Sequence, residues 1–283
     1  IDTPGLTIVA RPAGRPGESG ALFSARYGQT TGLCLFDKVF VPWKHVFLCG
    51  EWMHVDHLTK SYATHHRHTC IGARAGFGDL LIGAGALMIE ANGLSMTGNV
   101  NLRDTMVELI KVVEGFYACG VAASVYGTEE SAGNTMPEPV YANIGKLLLA
   151  NQIYDMHRLA HTVSGGLIVT LPLPEDDHNP ETGPDLALVL QGRPDVSYER
   201  RASVARFIED ITATDAGGWM SVISLHGGGS PEAMKSEIHR RYPIPERRKL
   251  VERLIERGVA SESSNRSTAQ QPGQCCDTGC TKE

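Results

Sequence analysis

The sequence has no excess of positive charge: 26 Lys and Arg against 32 Asp and Glu leave a formal net charge of −6. Nucleic acids and anionic membrane surfaces are held by clustered cations, so neither is expected as a partner. There is no uninterrupted apolar run of the roughly 20 residues that a membrane span requires. The best candidate, 79–88, is short and rich in Gly and Ala. No initiator Met and no basic, then apolar, leader opens the chain. It begins Ile1-Asp2-Thr3-Pro4-Gly5 and runs directly into strand-like text, which predicts a processed subunit or the C-terminal part of a longer polypeptide. An even, regularly spaced cysteine set is also lacking. The 7 cysteines are scattered, with three packed near the end. This argues against a disulfide framework and for a reducing, cytoplasmic location.

What is present is core material. Apolar residues make up 42% and charged residues 20% of 283 positions, enough for one large domain or two ordinary ones. Residues 1–50 read as β structure, with strands at Leu6–Ala10 and Gly32–Phe36 and a third over Asp37–Pro42. Residues 51–258 read as helical, with stretches at Asp56–Asn92, Asn101–Tyr126, Pro139–His161, Ser197–Thr214 and Ser230–Arg257. Proline-rich 171–194 reads as a loop, and 259–283 as a mobile Ser/Thr/Gln/Gly-rich tail. The fold expected is mainly α: a bundle of about five helices preceded by the end of a β domain.

The most unusual local text is Thr64-His65-His66-Arg67-His68-Thr69-Cys70. On a helix His66 and Cys70 share a face at i,i+4 and could bind a metal together. The same residues could equally be a solvated histidine cluster beside a small buried thiol. His226-Gly227-Gly228-Gly229-Ser230-Pro231 lies between two helices. Glycine lets a ligand approach the backbone, and a helix opened by Ser230 offers N–H groups to an anion such as a pyrophosphate. A plain inter-helix turn with a capping serine has the same text. Cys275, Cys276 and Cys280 resemble a ligand cluster but lack a fourth donor.

Several segments together resemble one family. They are Phe36-Asp37-Lys38-Val39-Phe40-Val41-Pro42-Trp43, Val46-Phe47-Leu48-Cys49-Gly50-Glu51, His65-His66-Arg67 with Gly76-Phe77-Gly78-Asp79, Gly165–Pro172, Asn179-Pro180-Glu181-Thr182-Gly183, Arg206–Asp210 and the His226–Pro231 loop. In this order they are similar to the flavoproteins of the 4-hydroxybutyryl-CoA dehydratase and 4-hydroxyphenylacetate 3-hydroxylase family, with a lean toward the dehydratase branch. The resemblance implies an acyl-CoA dehydrogenase-like fold, of which this chain holds the end of the middle β domain and the C-terminal helix bundle. The N-terminal half is then missing or on a separate chain, and a homo- or hetero-oligomer is implied.

The resemblance also implies chemistry. It implies FAD, with Gly165, His226, Gly227, Gly228 and Ser230 as cofactor-binding residues, and a small acyl-CoA or aromatic substrate. In the dehydratases a 4Fe-4S cluster is held by three Cys and one His. His66 falls on that histidine and is the metal ligand if a cluster is present. The cysteine seven residues later is replaced by Ala73, and alanine cannot ligate iron. Cys70 falls where the family has a catalytic Tyr, and Arg74 where it has a Lys. The family's acid/base glutamate has no counterpart near Thr31. Catalysis is thereby assigned to His66 as acid/base, with Arg74 and Cys70 beside it. The readings in competition are a dehydratase- or isomerase-like flavoenzyme, an aromatic hydroxylase component using reduced flavin and O2, and a non-catalytic scaffold.

Overall fold

The computed structural model describes residues 1–12 and 23–268, with side chains as far as 258. The chain divides into two units, 1–240 and 241–283.

The first unit opens with an antiparallel hairpin, β1 (Leu6–Arg11) and β2 (Thr31–Phe36), in register from Leu6↔Phe36 to Arg11↔Thr31. Between the strands a four-residue helix, α1 (Ser24–Tyr27), turns inward. The expected strand over Asp37–Pro42 does not form. Lys38 takes φ 51° and Asp37 N–H returns to Gly5 O at 2.9 Å, so the chain turns away from the sheet. Isolated helical turns at Trp43–His45 and Trp52–His54 lead into the bundle.

The bundle is built on α2 (Val55–Ala91), α3 (Val100–Val125) and α4 (Pro139–Ser164), which pack on one another. Local chemistry explains their ends. Leu94 N–H reaches Ile89 O at 3.0 Å with Gly93 at φ 72°, closing α2 in a left-handed turn. Asn99 caps α3 through Leu102 N–H at 3.2 Å. Glu138 caps α4 through Tyr141 N–H at 2.8 Å, with Pro139 at its first position. A short ribbon, β3 (Thr128–Glu129) and β4 (Thr135–Met136), joins α3 to α4. The core where the three helices meet holds Ile71, Leu81, Leu109, Phe116, Leu149 and Ile153. Glycines let the backbones close: a methyl on Gly145 would stand 2.6 Å from Ile71 Cδ1, and one on Gly78 2.4 Å from Val113 Cγ2.

Residues 171–194 are less irregular than expected. After α5 (Leu167–Thr170), they contain α6 (Pro174–Asp177) and α7 (Gly183–Val189), each with a proline in its first turn. Fixed φ suits proline there, so prolines that read as loop residues start helices instead. Then α8 (Tyr198–Thr212), capped by Ser197, returns against α2, and α9 (Asp215–His226), capped by Thr214, packs on α4 and α8. The expected helix over Ser230–Arg257 is two helices. α10 (Pro231–Arg241) stops before Pro243, and α11 (Ile244–Thr268) starts after it. Proline removes a helix hydrogen bond and restricts the residue before it. α11 belongs to the second unit and continues helical to Thr268, past the expected start of the tail at 259. The cysteines at 275, 276 and 280 lie outside the described residues.

Among the described residues Trp52–Ala91 is long and apolar enough to cross a membrane by length and composition. In this fold it is the central helix of the bundle, with Ile71, Leu81 and Met88 in the core.

Candidate functional site

Successive turns of α2 carry His66, Cys70 and Arg74 along one side, as the i,i+4 spacing requires. Cys70 Sγ lies 3.6 Å from His66 Nδ1. Two further buried side chains, Asn143 and Lys146, approach from α4, and Ser224 from the last turn of α9.

This cluster is cationic. Arg67 donates from Nε to Gly228 O at 2.8 Å and from Nη1 to Asn143 Oδ1 at 2.7 Å. Arg74 Nε donates to Ser224 Oγ at 2.7 Å, and Lys146 Nζ to Ser224 O at 2.5 Å. Among the described residues no carboxylate is hydrogen-bonded to Arg74 or Lys146. Their compensation is the carbonyl end of α9, where the helix dipole is negative. Burial lowers the pKa of both arginines, opposed for Arg67 by Glu237 and for Arg74 by Cys70. Burial also pulls Lys146 down to about 8; Cys70 opposes this, while Arg74 and Arg67 add to it.

The glycine loop sits directly on α2. A methyl on Gly228 would lie 2.8 Å from His66 Nδ1, and one on Gly229 2.9 Å from Arg67 Nη2. Both glycines have positive φ, 79° and 105°. Ser230 Oγ accepts from Ala233 N–H at 3.3 Å, as an N-cap does. The structure therefore brings His226–Ser230 to His66, and the glycines serve close packing against α2.

Two cavities flank this core. The first, about 300 Å3, is walled by Phe23, Tyr27, Phe77 and Trp219, with Ala73 and Arg74 on its α2 side. Arg74 is 8% exposed; its Nε is committed to Ser224, and among the described residues its two Nη nitrogens have no hydrogen-bond partner. His66 and Cys70 do not line this cavity. The second, about 840 Å3 and more open, is lined by His157, His161, Gly165, Gly166, Thr212 and Ser221. A methyl on Gly165 or Gly166 would meet nothing within 4 Å, so their backbone faces open space. His157 receives or donates one hydrogen bond, between Nδ1 and Ser221 Oγ at 3.2 Å, while its buried Nε2 has no partner among the described residues. Burial and the neighbouring His161 push His157 down to about 4. Phe77, in the wall of the first cavity, packs against the His157 ring at 5.7 Å between centroids, so the two cavities stand back to back.

The predicted site residues thus fall in two places. His66 and Cys70 meet on α2 with Gly228 against His66 and Arg74 one turn on, His226, Gly227 and Ser230 flank Gly228 in the same loop, and Gly165 lies in the other cavity. Sequence reading missed Lys146, Asn143, Ser224 and His157. Lys146 in an apolar helical run was the available signal. Among the described residues no group of three His, Cys, Asp or Glu could hold a metal ion. Ala73, seven residues after His66, offers iron no ligand.

A helix bundle of this topology is the C-terminal domain of the acyl-CoA dehydrogenase-like fold. Residues 55–256 match the family described as 4-hydroxyphenylacetate 3-hydroxylase C terminal, and the chain belongs to that family. It is 32% identical over 249 residues, 84% of this chain and 50% of the relative, to 4-hydroxybutyryl-CoA dehydratase/vinylacetyl-CoA-Delta-isomerase of Clostridium aminobutyricum. It is 26% identical, over 85% of this chain and 50% of the relative, to the oxygenase component of 4-hydroxyphenylacetate 3-monooxygenase of Thermus thermophilus. An oxygen-tolerant archaeal 4-hydroxybutyryl-CoA dehydratase from N. maritimus superposes with a TM-score of 0.82 at 30% identity, covering 90% of this chain and 51% of that one. The chain spans about half the length of the curated relatives it matches.

Proposed function

We propose that this chain is the C-terminal part of an FAD-dependent enzyme that acts on an acyl-CoA by dehydration- or isomerisation-type chemistry, without an iron–sulfur cluster. The observation that carries the reading is the edge of Arg74 left without a partner among the described residues, in an aromatic-walled cavity. A guanidinium there offers two-pronged hydrogen bonding to a carbonyl oxygen that gains negative charge when a neighbouring C–H loses its proton. The phenyl and indole walls exclude water, which strengthens that contact. His66 is the proton carrier in this proposal, with Cys70 beside it; both lie outside the cavity, so the proposal requires the reacting carbon to extend from Arg74 along α2 toward them. The open glycine face at Gly165 suits a flat portion of the dinucleotide, and the N–H groups that open α10 after Ser230 a charged portion. FAD supplies the redox-active ring. The aliphatic and aromatic side chains exposed on the β1–β2 hairpin support a covering N-terminal half, on a separate chain or missing from this one, and we place the assembled oligomer in the cytoplasm.

The replacement of a cluster cysteine by Ala73 and the four aromatic walls favour a second reading, hydroxylation of a phenol with reduced flavin and O2. One experiment separates the two. The native complex is assayed anaerobically with vinylacetyl-CoA, and aerobically with 4-hydroxyphenylacetate and a flavin reductase. Isomerisation without oxygen supports the first reading, and oxygen-dependent catechol formation the second. Bound flavin with neither activity points to a scaffold. His66→Ala should abolish turnover and leave FAD bound.

A further inference from the structure

We infer that Lys146 is a positioning residue: by holding Ser224 it sets the edge of Arg74 that faces the aromatic cavity, and its charge sets the affinity of that cavity for an anionic oxygen. The inference rests on the reading of that cavity as the substrate site.

Ser224 is gripped from two helices. Its Oγ accepts from Arg74 Nε at 2.7 Å and its carbonyl accepts from Lys146 Nζ at 2.5 Å. The hydroxyl is not free to turn, because it donates to Met220 O at 2.5 Å. Arg74 therefore meets a fixed lone pair, and its Nη edge is aimed by that contact. The carbonyl grip comes from a residue 78 positions away in sequence and fully buried. A merely structural filler there would be apolar. An ammonium brings three donors, and among the described residues this one has a single acceptor, Ser224 O. Removing such a charge from water is costly, and an apolar residue of equal volume is commonly as stable or better. The charge therefore points to a role beyond packing.

The charged and titratable groups acting on Lys146 are Arg67, Cys70 and Arg74 from α2, while α9 presents the uncharged Ser224. With its pKa near 8, Lys146 is cationic at neutral pH and loses its charge above that value. The cationic form reinforces the field at Arg74, and by linkage an anion bound at Arg74 favours the cationic form.

The test uses the full chain and benzoate, an aromatic carboxylate that stays ionised throughout. Its dissociation constant is measured by calorimetry from about pH 6.5 to about pH 9.5. In the wild type it should rise roughly three- to tenfold across the lysine titration. Lys146→Met should bind more weakly at neutral pH and show no such rise. Lys146→Arg, charged at every pH, should stay tight at the alkaline end. Cys70→Ser should keep the rise but move it to lower pH, since Cys70 holds the lysine up; survival of the rise without the thiol assigns it to the lysine. A flat wild-type profile, or an unchanged profile in Lys146→Met, overturns the inference and leaves the cavity reading intact. Absence of benzoate binding, or binding unaltered by Arg74→Met, overturns the cavity reading and this inference together. The wild-type profile and Lys146→Arg decide the matter even where Lys146→Met does not fold.

Discussion

Ser24 gives both its backbone N–H and its hydroxyl to the carboxylate of Asp210, at 2.8 and 2.5 Å, across 186 positions of sequence. Asp210 is fully buried and takes a third hydrogen bond from Phe23 N–H at 2.7 Å. These contacts anchor the one segment ahead of the bundle that walls the aromatic cavity. Phe23 then packs edge-on against Phe207 at 5.4 Å. Asp210→Ala should cost about 2–4 kcal/mol, since it strands buried donors that a carboxylate had satisfied. The urea midpoint reads the loss. Limited proteolysis should cut near 23–27 in the variant and spare the wild type. Equal resistance of the two proteins counts against the anchor.

His157 makes a prediction about pH. Its folded value is about 4 against an ordinary 6.5, so the unfolded chain binds more protons between those values. Stability from this group is complete above about pH 6.5 and is lost as pH falls toward about 4, on the order of 3 kcal/mol in all. Denaturant midpoints of the wild type should fall over that window, and His157→Phe should flatten the slope. Identical slopes would remove His157 as the cause.

Gly145 tests the helix packing. A methyl there meets Ile71 Cδ1 at 2.6 Å, Cys119 Cβ at 2.8 Å and the Phe116 carbonyl at 3.1 Å. Ile71 is 1% exposed and has nowhere to move. Gly145→Ala should therefore destabilise by about 1–3 kcal/mol, although alanine is the better helix former. Gly72→Ala is the control, because a methyl there meets nothing within 4 Å. It should be neutral or slightly stabilising. A reversal of the two results would mean that α4 does not cross α2 as closely as described.

Much of the architecture was legible because periodicity and caps act locally. Pro139 and Ser197 start helices where the sequence says they should, and α3 starts at Val100, one residue before the expected Asn101. α9 was not legible, because Gly217 and Gly218 in its first turn mask a helix held by Thr214 and by packing on α4 and α8. The break between α10 and α11 has a local signal in Pro243, which cannot continue a helix hydrogen-bond ladder. In the candidate site, residues of unusual composition stood out: the histidines, Cys70 and the glycine loop. Lys146, Ser224 and His157 did not. Their importance comes from burial and from which carbonyl or cavity each meets, and neither is encoded at short range.

The hairpin supplies the last prediction. All six residues of β2 and five of the six in β1 are exposed, and they include Ile8, Val9, Leu33, Leu35 and Phe36. Apolar side chains lie on both faces of a two-stranded ribbon, an arrangement with little stability of its own. Water is the wrong surrounding for such a ribbon, and further strands or a packed layer would remove the conflict. The exposed edges also leave backbone N–H and C=O groups unpaired, and these could continue the ladder. In the isolated chain the amides of 6–11 and 31–36 should exchange with deuterium at close to open-chain rates. Supplying the N-terminal half in trans should slow them by about a hundredfold or more, the protection expected of an interior strand. The core amides of α2 and α4 should change little. Full protection of the hairpin in the isolated chain would show that it needs no partner. The exposed side chains would then call for another explanation, such as association between copies through that surface.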